Sequence, residues 1–171
     1  MSTLVDRYID DLFEREGWFS NRINDKGGAT CWGITRSTLE HWRKKSVTID
    51  DVKNLSQDEA RNIYRTLYFD NHKLGLLPDE LEAQVFDFAV NSGPGVAIGL
   101  MQESLGLKND GVIGPKTVAA AVMACKPDGG RVLNLKLAKA RCMMLARIVR
   151  RDPTQVIFIG GWLARALSFA R

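Results

Sequence analysis

Between residues 4 and 13, apolar side chains recur every three to four positions, with charged side chains between them. This period is typical of an amphipathic helix with one buried face, so it predicts a first helix at the start of the chain. Continuing the apolar stripe four residues beyond Leu12 leads to Glu16, and Gly17 then supplies a residue type that often ends helices. A carboxylate therefore occupies a position where the pattern favours an aliphatic side chain.

Residues 20–35 are rich in turn-forming side chains, with Asp25, Gly27 and Gly28 suited to a tight loop or a short β-hairpin. Most of the remaining chain has helical periodicity. Ser37 is predicted to cap one helix, and Ser56 with Glu59 forms a capping-box pattern before another. Further helices are predicted at residues 79–91, 96–105, 115–125, 131–150 and 155–169, with Pro115 as a first helical residue. The fold class is therefore mainly α, with at most a short β-hairpin near residues 20–35.

The 171 residues are 45% hydrophobic and 26% charged, which is enough to bury a core and excludes a disordered chain or a small disulfide scaffold. The net charge of +4 is unevenly distributed, because residues 131–171 carry nine basic residues and one acid, whereas residues 1–130 are net acidic. A basic C-terminal segment favours an anionic partner. Nucleic acid, membrane headgroups and cell-wall polymers all meet that description.

The longest uncharged apolar runs, at residues 117–125 and 154–164, are shorter than the roughly 18 residues of a membrane-spanning helix. The acidic N-terminal segment argues against a cleaved signal peptide, so we expect synthesis in the cytoplasm. The three cysteines lack metal-binding spacing, and we expect reduced and mostly buried thiols. His41 and His72 are isolated, and no nucleotide-binding motif is present, so we expect neither a metal nor a cofactor.

Two carboxylates stand out as candidates for acid–base chemistry. Glu16 lies on the apolar face at the carbonyl end of its helix, and both conditions favour the neutral acid that a proton donor must be. The alternative is an ordinary surface glutamate in the last turn. Asp25 follows in a solvated loop, where it could stay ionised as the partner that glycoside hydrolysis needs, or serve only as a turn former. Thr30 and Thr35 are candidates to orient a water molecule.

The chain resembles glycoside hydrolase family 108, the N-acetylmuramidases of phage endolysins and related bacterial proteins. The resemblance rests first on Glu16-Gly17-Trp18-Phe19, then on the stretch from Asp25 to Thr35, and it continues through residues 86–93 and 158–165. It implies a lysozyme-like fold and makes Glu16 the catalytic acid of the Glu-Gly-Gly-Tyr motif. In this chain Trp18 replaces the second glycine and Phe19 the tyrosine.

The resemblance also implies the other site residues. Asp25 and Thr30 follow the Glu, Asp, Thr order of other phage lysozymes, with a shorter interval between the last two. Substrate-binding residues are then expected at Trp18, Phe19, Thr35, Asp87 and Asn91. The alternative for Asp87 and Asn91 is a solvated helix face and a C-terminal cap. Trp32 either contacts a sugar ring or packs in the core.

The second half is similar to a peptidoglycan-binding helical module, with Leu100 to Leu107 and Asp110 to Thr117 carrying its landmarks. We therefore expect a lysozyme-like catalytic region at residues 1–91 and a peptidoglycan-binding region at residues 92–171, packed as one compact unit. The same landmarks are also consistent with a purely structural role.

The resemblance implies an endolysin that hydrolyses the β-1,4 bond between N-acetylmuramic acid and N-acetylglucosamine and acts in the periplasm or cell wall. We expect the protein to be a monomer. Two alternatives remain: a lytic transglycosylase acting on the same bond, and a non-catalytic protein that binds cell wall or nucleic acid. In residues 131–151, the basic side chains are expected to point outward around an apolar stripe, where they attract anionic wall or outer-membrane polymers. That stripe is predicted to contain Val132, Leu135, Ala138, Cys142, Leu145 and Val149.

Overall fold

The computed structural model of the chain describes residues 3–16, 18–20 and 28–170, and for residues 15 and 16 it describes the backbone alone. These described residues form nine α-helices and one small antiparallel sheet, which confirms the mainly α prediction. The chain divides into two compact units, Met1–Asn71 and His72–Arg171. This division differs from the expected regions 1–91 and 92–171, which stay a prediction about where the two functions lie.

The first unit begins with the predicted amphipathic helix. Its α-helices are α1 (Leu4–Glu16), α2 (Arg36–Arg43), α3 (Ile49–Lys53) and α4 (Gln57–Tyr64), and a π-helical turn at Arg65–Phe69 continues α4. The side chains of Val5, Ile9, Leu12 and Phe13 are all buried, as the period of the apolar stripe requires. Glu16 is the last residue of α1.

Helix caps in the first unit agree with the sequence in one case and differ in another. Ser56 caps α4, where its hydroxyl accepts a hydrogen bond from the Glu59 amide, but the carboxylate of Glu59 binds Arg43 instead of closing a capping box. The prediction that Ser37 caps α2 is wrong. Thr35 is the cap, because its extended backbone lets Oγ1 accept the Thr38 amide.

One short helix, α3, was not predicted. It carries a reciprocal capping box in which Thr48 Oγ1 accepts the Asp51 amide and the Asp51 carboxylate accepts the Thr48 amide. The signal was present in the sequence as a threonine followed three residues later by an acid. Aspartate took the place of the usual glutamate or glutamine at that position.

The predicted hairpin region forms three strands of two residues each: β1 (Phe19–Ser20), β2 (Thr30–Cys31) and β3 (Ile34–Thr35). A two-residue turn of Trp32 and Gly33 joins β2 to β3, and both residues have positive φ, at 53° and 76°. Such turns match the twist of antiparallel strands and usually require glycine or asparagine at both positions. Trp32 adopts this backbone because its side chain is held from several directions, as described below.

The described residues of the second unit form five α-helices, and their positions agree closely with the sequence periodicity. They are α5 (Asp79–Ser92), α6 (Pro94–Ser104), α7 (Pro115–Cys125), α8 (Arg131–Arg151) and α9 (Val156–Leu167). Gly93 ends α5 with a φ of 88°, which only glycine adopts without strain, and Pro94 begins α6 at once. In the part of the chain that the structure describes, no helix is both long and apolar enough to cross a membrane.

The side chain of Gln102, which is 1% exposed, connects the two landmark segments that suggested a peptidoglycan-binding module. Its Nε2 donates to Asp110 Oδ1 at 2.7 Å, to the Val112 carbonyl at 3.0 Å and to Thr117 Oγ1 at 3.1 Å. Its Oε1 accepts the amides of Asp110 and Gly111. These residues therefore hold the loop between α6 and α7 in shape, so their spacing has a structural cause.

The buried face of α8 differs from the predicted stripe. Leu133, Leu137, Ala138, Arg141 and Leu145 are buried, whereas Val132 and Leu135 are about half exposed. The prediction that all basic residues of this helix point outward is wrong for Arg141, which is 3% exposed. A partner from another helix compensates its charge, which periodicity within α8 cannot reveal.

Glu82 lies on α5 with only 5% of its surface exposed. Burial, with a smaller contribution from the nearby Asp79 carboxylate, raises the pKa of Glu82 from 4.5 to about 7. The folded protein thus keeps a proton that the unfolded chain releases above about pH 4.5. The free energy of unfolding should consequently fall as pH rises from about 4.5 to 7, by up to about 3 kcal/mol from this group.

Replacing Glu82 by Gln removes this titration, and we expect the variant to gain stability relative to the natural chain as pH rises from 5 to 8. Urea unfolding at both pH values measures the difference, with Glu80→Gln on the exposed face of the same helix as the control. A constant difference between the Glu82→Gln variant and the natural chain across this range would contradict the buried neutral carboxyl.

Candidate functional site

The corner between α1 and the small sheet carries most of the predicted site. Glu16 ends α1, and the chain reaches Trp18 and the first strand within three residues. The Trp18 side chain is 58% exposed, and its ring centroid lies 6.5 Å from that of the half-buried Phe19. An exposed tryptophan beside a helix end presents an apolar face to solvent, as a sugar-binding surface requires.

The register of the sheet places three hydroxyl residues in one row. Ser20 pairs with Thr30, and Thr30 pairs with Thr35, so all three lie on the same face. The other row contains Phe19, Cys31 and Ile34, of which Cys31 and Ile34 are fully buried. The sheet therefore presents a polar row on one face and an apolar row on the other, with the period of two that strands impose.

The hydroxyls of Thr30 and Thr35 differ in their availability. Thr35 Oγ1 accepts the Thr38 amide and lies 3.0 Å from Ser37 Oγ and 2.9 Å from Thr38 Oγ1, so capping α2 already occupies it. Among the described residues, no partner hydrogen-bonds the half-buried Thr30 hydroxyl. Of the two threonines, Thr30 is thus the better placed to hold a water molecule.

Trp32 packs inside the first unit. Its ring lies 5.3 Å from that of Phe13, its Nε1 donates to the Leu55 carbonyl at 3.2 Å, and its carbonyl accepts the Tyr64 hydroxyl at 3.0 Å. Its amide also donates to the Trp18 carbonyl at 2.8 Å. These contacts favour the packing alternative for Trp32, and they fix the turn that sets the sheet register.

Two parts of the predicted site lie outside the described residues. The first is Asp25. Gly17 and Gly27, which the sequence analysis assigned to a helix end and a tight loop, also lie outside the described residues. The side chain of Glu16 is the other. The roles assigned to Glu16 and Asp25 therefore stay predictions.

Asp87 and Asn91 belong to the second unit, on α5. The Asp87 carboxylate is buried and accepts hydrogen bonds from Arg141 of α8 at 2.7 Å and from Arg165 of α9 at 2.8 Å. Asn91 Nδ2 donates to the Asp87 carbonyl at 2.7 Å. The alternative that Asp87 lies on a solvated face is wrong, because this ion cluster buries it. The prediction that Asp87 and Asn91 bind substrate stays a prediction.

The two arginines around Asp87 were missed at the sequence level. Burial lowers the pKa of Arg141, and the adjacent Asp87 carboxylate opposes this effect. The Arg141 guanidinium also lies 4.9 Å from the centre of the Phe88 ring. A small cavity of about 110 Å³ adjoins this cluster and is lined in part by Asn91, Trp162 and Arg165. The sequence contains one indication that Arg141 is buried, because Arg141 follows Leu133 and Leu137 at intervals of four residues and therefore shares their face of the helix.

We expect Asp87→Asn to lower the free energy of unfolding by about 3 to 5 kcal/mol, because it leaves two guanidinium groups close together without their carboxylate. Urea unfolding measures the loss. Asp79→Asn, an exposed acid in the first turn of the same helix, should lose less than about 1 kcal/mol. A variant at Asp87 with unchanged stability and a raised KM would instead support substrate binding.

Among the described residues, no group of three histidine, cysteine, aspartate or glutamate side chains is arranged to hold a metal ion. The cysteines are unpaired thiols, as expected, with Cys31 and Cys125 buried and Cys142 partly exposed. Burial raises the pKa of both buried thiols. Cys31 and Cys125 therefore have the surroundings of inert core residues.

Comparison with protein families gives two matches that together span most of the chain. Residues 9–93 match the family described as Glycosyl hydrolase 108, and residues 96–167 match one described as "Predicted Peptidoglycan domain". The first match includes Glu16, the whole sheet and Asp87. The second includes the Gln102 cluster and the whole of α8 and α9.

Among solved structures, the chain is similar to SagA of Brucella abortus, with 31% sequence identity and a TM-score of 0.78. The similarity covers 98% of this chain and 95% of that one. A comparison with curated proteins found no match. The structural likeness thus extends over both units and is not confined to a single motif.

Proposed function

Because the chain belongs to the glycosyl hydrolase 108 family and carries a peptidoglycan domain, we propose that it is an endolysin that cleaves the bond after N-acetylmuramic acid, with Glu16 as the acid. As a member of that family it is a glycoside hydrolase acting on peptidoglycan. The observation that carries the finer proposal is the corner where α1 ends at Glu16 beside an exposed tryptophan and a row of hydroxyls.

The position of Glu16 suits a proton donor. It is the last residue of α1, and the negative end of the helix dipole disfavours a second negative charge there. A neutral carboxyl can protonate the glycosidic oxygen as the bond to the leaving sugar breaks. The exposed face of Trp18 is proposed to hold the neighbouring sugar ring during this step.

The second group is proposed to come from Asp25 or from a water held by Thr30. A carboxylate can stabilise the oxocarbenium-like sugar or activate water, whereas a threonine hydroxyl can only orient the water. Among the described residues nothing hydrogen-bonds the Thr30 hydroxyl, whereas the Thr35 hydroxyl caps α2, and this difference supports Thr30 as the water-holding residue.

Replacement of Glu16 by Gln keeps its size but removes the transferable proton, so we expect lysis of purified peptidoglycan to fall by roughly two orders of magnitude or more. The loss of turbidity of a peptidoglycan suspension measures the rate. Glu14→Gln, on the exposed side of the same helix, should remain close to the natural enzyme. Activity of Glu16→Gln within a few-fold of the natural enzyme would exclude Glu16 as the acid.

Paired variants separate the two candidates for the second role. If Asp25 supplies the anion, Asp25→Asn loses at least about tenfold in rate and Thr30→Val loses less. If Thr30 holds the water, the order is reversed. Thr35→Val is the control for a loss of activity that comes from lost stability. The Thr35 hydroxyl caps α2, so this variant should lower the melting temperature of the protein as well as its activity.

The identity of the newly formed sugar end tests the reaction itself. Hydrolysis adds water and leaves a reducing N-acetylmuramic acid, which mass spectrometry of the released muropeptides detects. An anhydro-muramic end would instead assign the chain as a lytic transglycosylase. Absence of any cleavage would favour a wall-binding protein without catalytic activity.

A further inference from the structure

A long groove runs along α8 in the second unit. One part, of about 630 Å³, lies between the end of α6 and α8, and its lining includes Glu103, Lys139, Met143 and Arg147. A second part, of about 580 Å³, extends towards α7 and includes Met123 and Val132. Ser104, Leu105 and Lys136 line both parts, so the two parts adjoin at these residues, and together they are here called the α8 groove.

The chemistry of the α8 groove changes along its length. At one end, the cationic groups of Lys136, Lys139 and Arg147 face a single carboxylate, that of Glu103. At the other end the exposed side chains are mainly apolar, with Met123 at 71% and Val132 at 51% exposure, and the partly buried Asp128 adds one carboxylate to the lining. Exposed apolar surface next to an excess of cations is typical of a binding surface for an anionic ligand with small apolar groups.

The cations are aligned by the helix itself. Lys136, Lys139, Met143 and Arg147 follow one another at intervals of three and four, so they form one stripe along α8. A second stripe on the same helix, which contains Leu137 and Arg141, packs into the core of the unit. Burial of that second stripe holds the cationic stripe in place at the groove.

We propose that the α8 groove binds the acidic stem peptide of peptidoglycan. The stem peptide carries free carboxylates, which match the three cations, and small alkyl side chains, which match the apolar end. The carboxylate of Glu103 offers an acceptor for the ammonium group of a diamino acid. This proposal rests on the proposed function, because it assigns a recognition site for the same polymer that the enzyme is proposed to cleave.

The lining favours the peptide over the glycan strand. None of the described residues that line the groove is aromatic, so the groove lacks the flat apolar surface that stacks on a sugar ring. The glycan has few charges, whereas each stem peptide presents several carboxylates. The cations of the groove would therefore discriminate by charge between the two parts of the polymer.

Calorimetric titration of the full chain with a free stem tripeptide, L-alanyl-γ-D-glutamyl-diaminopimelate, tests this assignment without any cleavage. We expect saturable binding, and Lys136→Glu and Lys139→Glu should each raise Kd by about tenfold. Arg151→Glu is the matched control, since it reverses the same charge on the same helix but lies outside the groove lining. Its Kd should change by no more than about twofold.

Absence of binding to the natural chain would overturn the proposal, as would an equal effect of Arg151→Glu. This readout is independent of catalysis, so a chain that binds the tripeptide but cleaves nothing would refute the proposed function and leave the groove assignment standing.

Cleavage assays give a second, separate readout. The natural enzyme should degrade intact peptidoglycan faster than glycan strands from which an amidase has removed the stems, and Lys136→Glu combined with Lys139→Glu should abolish that preference. Equal losses of this double variant on both substrates would show that the groove recognises the glycan or acts through net charge alone, and would overturn the proposal.

Discussion

The ion cluster of Asp87, Arg141 and Arg165 is the constraint around which the second unit is organised. It links α5, α8 and α9 through one buried carboxylate. A guanidinium that is almost fully buried is costly unless it is paired and hydrogen-bonded, so this contact fixes which face of α8 turns inward. Because Arg141 takes an inward position, Lys136, Lys139 and Arg147 are left on another face of the helix, where they line the α8 groove.

In the first unit, hydrogen bonds and aromatic packing fix the position of the turn between β2 and β3. Trp32 adopts a backbone conformation that is unusual for its type, and its ring, amide and carbonyl each have a partner in the surrounding structure. The turn it forms sets the register of the sheet, and the register in turn aligns Ser20 with Thr30 and Thr35. The sequence left Trp32 open between sugar binding and core packing. In the structure it packs in the first unit and thereby stabilises the register that aligns the polar row.

The two arrangements are proposed to act on different parts of the peptidoglycan polymer. The corner at the end of α1 is proposed to carry the chemistry on the glycan, and the α8 groove is proposed to bind the stem peptide. Among the motif residues of the peptidoglycan domain, Gln102 and its partners hold the loop between α6 and α7. The landmarks that identify the domain in sequence therefore have two roles: Gln102 holds this loop, whereas Glu103 lines the groove that is proposed to bind the ligand.

The sequence by itself determined the features that depend on neighbours within a few residues. The start of α7 at Pro115, the cap of α4 at Ser56 and the end of α5 at Gly93 follow from local backbone preferences, and the resemblance pointed to the family. Tertiary structure alone decided the sheet register, the choice of Thr35 over Ser37 as a cap, and the inward position of Arg141. Each of these depends on a partner distant in the chain or on a backbone angle set by packing, and the carboxylate that stabilises Arg141 lies 54 residues away on another helix. Periodicity ranks a helix face by its apolar side chains, so it cannot identify a buried charge whose partner lies outside that helix.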